Sequence, residues 1–224
     1  YRRAQEVWSD VTDEGWRLAR ACYYARITEM DVQLGRLLDF IGRTGQADNT
    51  IVIVASDHGR YVGAHGFDAH NFGAFEEIYN IPLVISGPGI LEGAVTDARV
   101  GLHDLYPTIL ELAGMQPAHV SDSSSFAEVL SGSICEDPRY DTGFAEYHGT
   151  RYPLMQRIAW HDDWKFVYNG FDYDELYNLG SDPHEMDNLA NNPEHRDRVV
   201  EMTRLIWRRI RETADNTLLN AHYY

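Results

Sequence analysis

From Thr50 to Ser56 the chain reads Thr-Ile-Val-Ile-Val-Ala-Ser, a short, nearly all-apolar run rich in β-branched residues. A run of this kind suits a strand covered on both faces, as in parallel sheets. Ahead of it, Ile27, Met30, Leu34, Leu37, Leu38 and Ile41 recur three and four residues apart. That spacing predicts a helix from Asp13 to about Gly45, with Gly45 as its C-cap. Behind it, Ile81-Pro82-Leu83-Val84-Ile85 forms a second such run, closed by the Ser86-Gly87-Pro88-Gly89 turn. Helix, buried strand, loop and buried strand in this order is an α/β signature.

The order changes further on. His103 to Ala113 carries Leu105, Ile109, Leu110 and Leu112 and stops at Gly114, a second helix in which Pro107 is tolerable only in the first turn. Met115 to Tyr140 reads as loop with one short helix near Phe126 to Leu130. Four strand-like runs follow, Gly143 to His148, Met155 to Trp160, Trp164 to Tyr168 and Glu175 to Leu179, with Asp162-Asp163 and Asn169-Gly170 as turns. They predict a small antiparallel sheet with Trp160, Trp164 and Phe166 in its core. Asn192 as N-cap and Pro193 at the first helical position then open a helix through Val199, Met202, Leu205, Ile206 and Ile210 that covers one face of that sheet.

Charge narrows the partners. The net charge is −16, from 35 acidic against 19 basic residues, and Lys165 is the only lysine. So acidic a surface repels phosphate backbones, which argues against nucleic acid, while a focused pocket holding a cation still attracts a small anion. No run of about 18 apolar residues occurs and the start is charged, so neither a membrane span nor a signal peptide is expected in this stretch. Cys22 and Cys135 are too few for a disulfide framework.

The Thr50 to Ser56 strand delivers Asp57-His58-Gly59 at its carboxyl end, where open α/β sheets place ligand sites. A carboxylate and an imidazole from one turn suit a divalent cation. Taken alone, the three residues fit an N-cap beside a surface histidine better than a cation site. Their surroundings add more: Gly63, His65-Gly66, His70 thirteen residues after the aspartate, Glu76-Glu77, then Pro82 before an apolar strand and Gly87-Pro88-Gly89. This ordered pattern resembles the sulfatase family of the alkaline-phosphatase-like superfamily, which also contains phosphonate monoester hydrolases. The likeness extends through Tyr23-Tyr24-Ala25, Asp31 and Gly35-Arg36, through Asp104 to Gly114, and through Glu146-Tyr147-His148-Gly149, Trp164-Lys165-Phe166 and Asp174-Glu175-Leu176-Tyr177-Asn178-Leu179.

The resemblance implies an alkaline-phosphatase-like mixed or parallel sheet flanked by helices, with residues 1–120 as the carboxy-terminal part of the catalytic domain and 121–224 as a small α+β subdomain. It implies a sulfuric ester hydrolase acting on a small anionic ester, or a phosphonate or phosphate ester hydrolase of the same superfamily. A non-catalytic module on the same fold is the remaining alternative. Asp57 and His58 become two ligands of a divalent cation, calcium or, given the imidazole, manganese or a similar ion. His70 stands where the family usually has lysine, so it would bind the ester oxyanion or protonate the leaving group. His65 either contacts substrate or shapes its loop, and His148 either reaches the pocket rim or is a strand-end surface histidine.

The family's nucleophile is formylglycine, made from a Cys/Ser-x-Pro-x-Arg motif. Cys22-Tyr23-Tyr24-Ala25-Arg26 lacks the proline, and Cys135-Glu136-Asp137-Pro138-Arg139 has it one place late. Nucleophile and remaining metal carboxylates are therefore expected upstream, in a missing amino-terminal part of the catalytic domain, and residues 1–224 alone are expected to be inactive.

Overall fold

The computed structural model describes residues 1–68, 73–116, 122–133, 137–149, 155–170 and 173–217. Two compact units emerge, Tyr1–Glu92 and Gly93–Tyr224. The division after residue 120 that the resemblance implies falls within the second of these units. The structure sets the helix at Leu105–Leu112 with the second unit, because Thr108 and Asp104 bond to the segment that follows.

In the first unit, α1 (Arg2–Val7) precedes α2 (Asp13–Arg43). Thr12 caps α2 by accepting from the Gly15 amide at 3.2 Å, Asp13 and Glu14 occupy its positive first turn, and Gly45 takes φ 69° just past its end. None of its 31 residues is buried. Leu18, Ile27, Met30, Leu37 and Leu38 are exposed, so its apolar stripe meets solvent along most of its length. Strand β1 (Val52–Ala55) pairs with β2 (Leu83–Ser86), and α3 (Glu76–Tyr79) lies in the connection between them.

The two strands pair antiparallel, Val52 opposite Ser86 and Ala55 opposite Leu83. The expected mixed or parallel sheet is thus represented here by one antiparallel pair. A run of β-branched residues records burial but not direction, and the loop through α3 turns the chain back beside β1. Val84 is 62% exposed, far from the two-sided cover its sequence suggests. The unit's core lies instead in the connection, where Tyr61, Val62, Phe67, Ala74, Phe75 and Ile78 are buried.

In the second unit, α4 (Leu105–Leu112) follows a single 3₁₀ turn and carries Pro107 within its first turn, where no intrahelical amide is needed. Its buried Thr108 donates to the Asp104 carbonyl at 2.6 Å and accepts from the Phe126 amide at 3.1 Å. Asp104 accepts from the Ser124 amide at 2.9 Å, tying α4 to the segment before α5 (Ala127–Leu130). The antiparallel sheet β3 (Thr142–Tyr147), β4 (Gln156–His161), β5 (Trp164–Asn169) and β6 (Glu175–Asn178) runs in chain order, each strand meeting the next. Asp162 takes φ 49° in the β4–β5 turn.

Register places Phe144, Ala159, Phe166 and Leu176 in one row across all four strands. Met202 and Ile206 of α6 (Arg196–Glu212), one turn apart, bury themselves on that row. Asn192 caps the preceding 3₁₀ turn by accepting from the Glu194 amide at 3.0 Å, with Pro193 behind it. The opposite row holds Trp160, Lys165 and Tyr177, and Lys165 is fully buried. Its ammonium lies 2.7 Å from the Glu185 carboxylate and 5.3 Å from the centre of the Trp160 ring. Among the described residues no helix is long and apolar enough to cross a membrane.

Candidate active site

Strand β1 ends at Ala55, and the next four residues form the turn that holds Asp57 and His58. Ser56 donates to the His58 carbonyl at 2.8 Å, and the His58 amide donates to Asp57 Oδ1 at 2.9 Å. His58 Nδ1 lies 2.8 Å from the Gly59 carbonyl oxygen. A carbonyl only accepts, so Nδ1 carries the proton and the imidazole lone pair sits on Nε2. That nitrogen is 3.6 Å from Asp57 Oδ2, and the aspartate side chain is 84% exposed. A ring nitrogen held by a backbone carbonyl, beside an exposed carboxylate, is the arrangement by which proteins orient histidine ligands.

Gly59 is fixed by close backbone contact with the segment of α3. Its amide donates to the Ile78 carbonyl at 2.9 Å, and a Cβ at this position would fall 1.9 Å from the Glu77 carbonyl oxygen. Only glycine lets the turn lie so close against α3. Glu77 then reaches the other way, its Oε2 3.3 Å from His65 Nε2.

The loop after the turn is braced internally. Arg60 donates to both oxygens of Asp68, at 2.9 and 2.7 Å, a bidentate clamp that raises the arginine's already high pKa. His65 adopts φ 53°, stacks on Phe75 with ring centres 3.7 Å apart, and has its backbone carbonyl accept from Gln5 at 2.8 Å. Only 9% of its side chain is exposed. Its ring sits in the loop's core with Tyr61, Phe67 and Phe75. Gly63, at φ 95°, presses against Trp16 of α2 so closely that a Cβ would lie 2.9 Å from the indole.

Asp57 and His58 are therefore brought together, and Glu77 links their turn to His65. His70 lies outside the described residues. His148 follows β3 in the second unit, 47% exposed, with Nε2 2.8 Å from Glu146. Among the described residues no group of three or more His, Cys, Asp or Glu side chains converges to hold a metal. Asp57 and His58 thus fit as two of a cation's ligands rather than as a complete cage. The Arg60–Asp68 clamp and the double use of Glu77 were not legible beforehand, since both pair residues across a loop that has no periodicity. Cys22 is an exposed free thiol on α2, and Cys135 lies outside the described residues.

Two known families match. Residues 1–115 match the family described as Sulfatase, and residues 63–212 match N-sulphoglucosamine sulphohydrolase, C-terminal. The chain belongs to the sulfatase family. Similar relatives include the choline-sulfatase of Rhizobium meliloti (strain 1021), 35% identical over 188 residues covering 82% of this chain and 35% of that protein. Arylsulfatase K of Xenopus laevis is 35% identical over 190 residues, covering 80% of this chain and 35% of its own length. This sulfatase chain therefore spans about a third of the curated relatives it matches.

Solved structures share the fold. A 2-O GAG sulfatase superposes with a TM-score of 0.83 at 24% identity, over 92% of this chain and 45% of that one. The phosphonate monoester hydrolase of Agrobacterium radiobacter gives 0.82 at 27% identity, over 94% and 45%. The alkaline-phosphatase-like α/β fold expected from the sequence is thereby established.

Proposed function

We propose that the protein is a sulfuric ester hydrolase in which Asp57 and His58 supply two ligands of a catalytic divalent cation. The observation that carries this is the turn itself: Nδ1 of His58 spoken for by the Gly59 carbonyl, Nε2 3.6 Å from the Asp57 carboxylate. Membership of the sulfatase family supports the reaction class. When bound, the cation polarises the oxygens of the sulfate group and offsets charge as the ester oxygen leaves. Asp57 contributes a full negative charge and His58 a neutral nitrogen, a mixed set that accepts calcium or manganese. Gly59 holds both against α3. His70 acts on the leaving oxygen as a hydrogen-bond donor or general acid. His148 contacts the anionic ester, while His65 acts through Glu77 on the loop that carries His70.

The test is to assay the full-length protein with para-nitrophenyl sulfate and the matching phosphonate monoester. Asp57→Ala and His58→Ala should each weaken cation binding by more than the roughly 10- to 100-fold typical of losing an outer-shell partner. Sulfate turnover should fall in step. Negligible sulfate turnover beside fast phosphonate turnover would establish the second reading, a phosphonate or phosphate ester hydrolase. That reading draws on the histidine at position 70 and on the 27% identity to the phosphonate monoester hydrolase.

A further inference from the structure

An anionic ester arriving beside Asp57 meets a carboxylate, in a chain of net charge −16. One residue nearby opposes that charge. Between β1 and β2, from Ser56 to Pro82, the chain carries a single arginine and no lysine. It is Arg60, the first residue after the Asp57-His58-Gly59 turn. Three residues of chain keep its backbone within about 11 Å of that of Asp57. Along α2, by contrast, Arg26 is paired with Glu29, Arg36 with Gln33, and Arg20 donates to the Val62 carbonyl.

The Arg60 guanidinium is held at one edge and open at the other. Nε and Nη2 donate to the two oxygens of Asp68 at 2.9 and 2.7 Å, and the Val62 amide donates to the same carboxylate at 3.3 Å. Nη1 makes no hydrogen bond among the described residues. Asp68 is turned inward with 14% of its side chain exposed, while Arg60 keeps 44%. A brace for the loop accounts for the held edge. It does not account for a guanidinium set next to a turn that has to attract a divalent cation, where an uncompensated positive charge repels the metal. Asp68 removes that conflict. At a distance the pair is neutral, whereas within hydrogen-bond range the open edge still donates with the strength of a charged group.

We infer that Arg60 binds the anionic group of the ester through its open Nη1 edge, with Asp68 as the residue that positions it. This rests on the sulfate-ester reading and adds a substrate-binding residue to that site. Arginine stays charged across the working pH range, and its planar fork matches two oxygens of one anion. Because Asp68 fixes the side chain beforehand, little freedom is lost when the oxyanion arrives. Labour in the turn is thereby divided: Asp57 and His58 hold the cation, and Arg60 holds the anion.

The experiment uses full-length protein with para-nitrophenyl sulfate as substrate and inorganic sulfate as competing anion. Arg60→Gln should raise KM and the sulfate inhibition constant roughly tenfold or more, as expected for a lost hydrogen bond to a charged group. Its affinity for calcium or manganese, read by metal titration, should not weaken. Asp68→Asn keeps the guanidinium but leaves it uncompensated, so here the cation should bind less tightly. Should the glutamine variant fold poorly, Arg60→Lys keeps the charge without the fork, and its KM should still rise. A plain loop brace predicts otherwise: Arg60→Gln and Asp68→Asn would both lower the thermal midpoint and the cation affinity, with KM and the sulfate constant within about twofold of wild type. That result overturns the inference. Fast phosphonate turnover without sulfate turnover would overturn the sulfate-ester reading instead, and a KM for the phosphonate that rises in Arg60→Gln would leave Arg60 standing as the anion's ligand.

Discussion

Gly59 is the residue on which the candidate cation site turns, because its missing side chain sets how closely Asp57 and His58 approach α3. A methyl group 1.9 Å from the Glu77 carbonyl oxygen cannot be accommodated without moving the turn. Gly59→Ala is expected to destabilise the first unit by about 3 kcal/mol and to remove cation binding, read by thermal unfolding and by metal titration of the full-length protein. Lys165 presents the opposite case, a charge taken wholly out of water beside the Glu185 carboxylate and the Trp160 ring. Lys165→Met leaves the Glu185 carboxylate buried and unneutralised by its ammonium, a loss of about 3 to 5 kcal/mol. Adding Glu185→Gln should restore part of it, and a denaturant double-mutant cycle would show the coupling. Apolar residues are poorer choices at position 185, where φ is 51°.

At the scale of elements, the end of α6 is fastened to β4 by charge. Arg157, with 4% of its side chain exposed, donates to Asp215 at 2.6 Å and also to Thr217. Burial pushes the Asp215 carboxyl up, but the Thr217 hydroxyl and amide and the Arg157 guanidinium outweigh it and hold it below the usual carboxylate range. The folded pKa is therefore lower than the unfolded one. Stability from this contact is present above the unfolded value of about 4 and is lost as pH falls through the folded value. Asp215→Asn should flatten the acid limb of the stability curve, measured by urea unfolding across acid pH. The N-cap gives a smaller effect: Asn192→Ala should cost about 1 kcal/mol, seen as a lower denaturation midpoint with unchanged m-value. Elements of this kind were readable in advance. The four strands fall within a residue or two of their expected places, because period-2 runs and turn residues act within a few positions of one another, while the last helix begins at Arg196, after a 3₁₀ turn at the expected Pro193 start.

For the whole molecule, α2 is the unresolved account of apolar surface. Its leucines, isoleucine and methionine recur at core spacing, yet the helix buries none of its 31 residues. The 224-residue chain on its own is expected to self-associate through this stripe, giving a mass that rises with concentration in light scattering. Ile27→Ser with Met30→Ser and Leu37→Ser should reduce that rise.

By itself the sequence determined the longer helices α2, α4 and α6, the strands and the position of the Asp57-His58-Gly59 turn at a strand end, since each follows from neighbours in the chain. The direction in which β1 and β2 pair, the burial of His65 against Phe75, the Arg60–Asp68 clamp and the reach of Glu77 to both sides were decided only by tertiary structure. Those contacts join residues from separate turns of an aperiodic loop, where packing and the geometry of single hydrogen bonds, not local propensity, select the conformation.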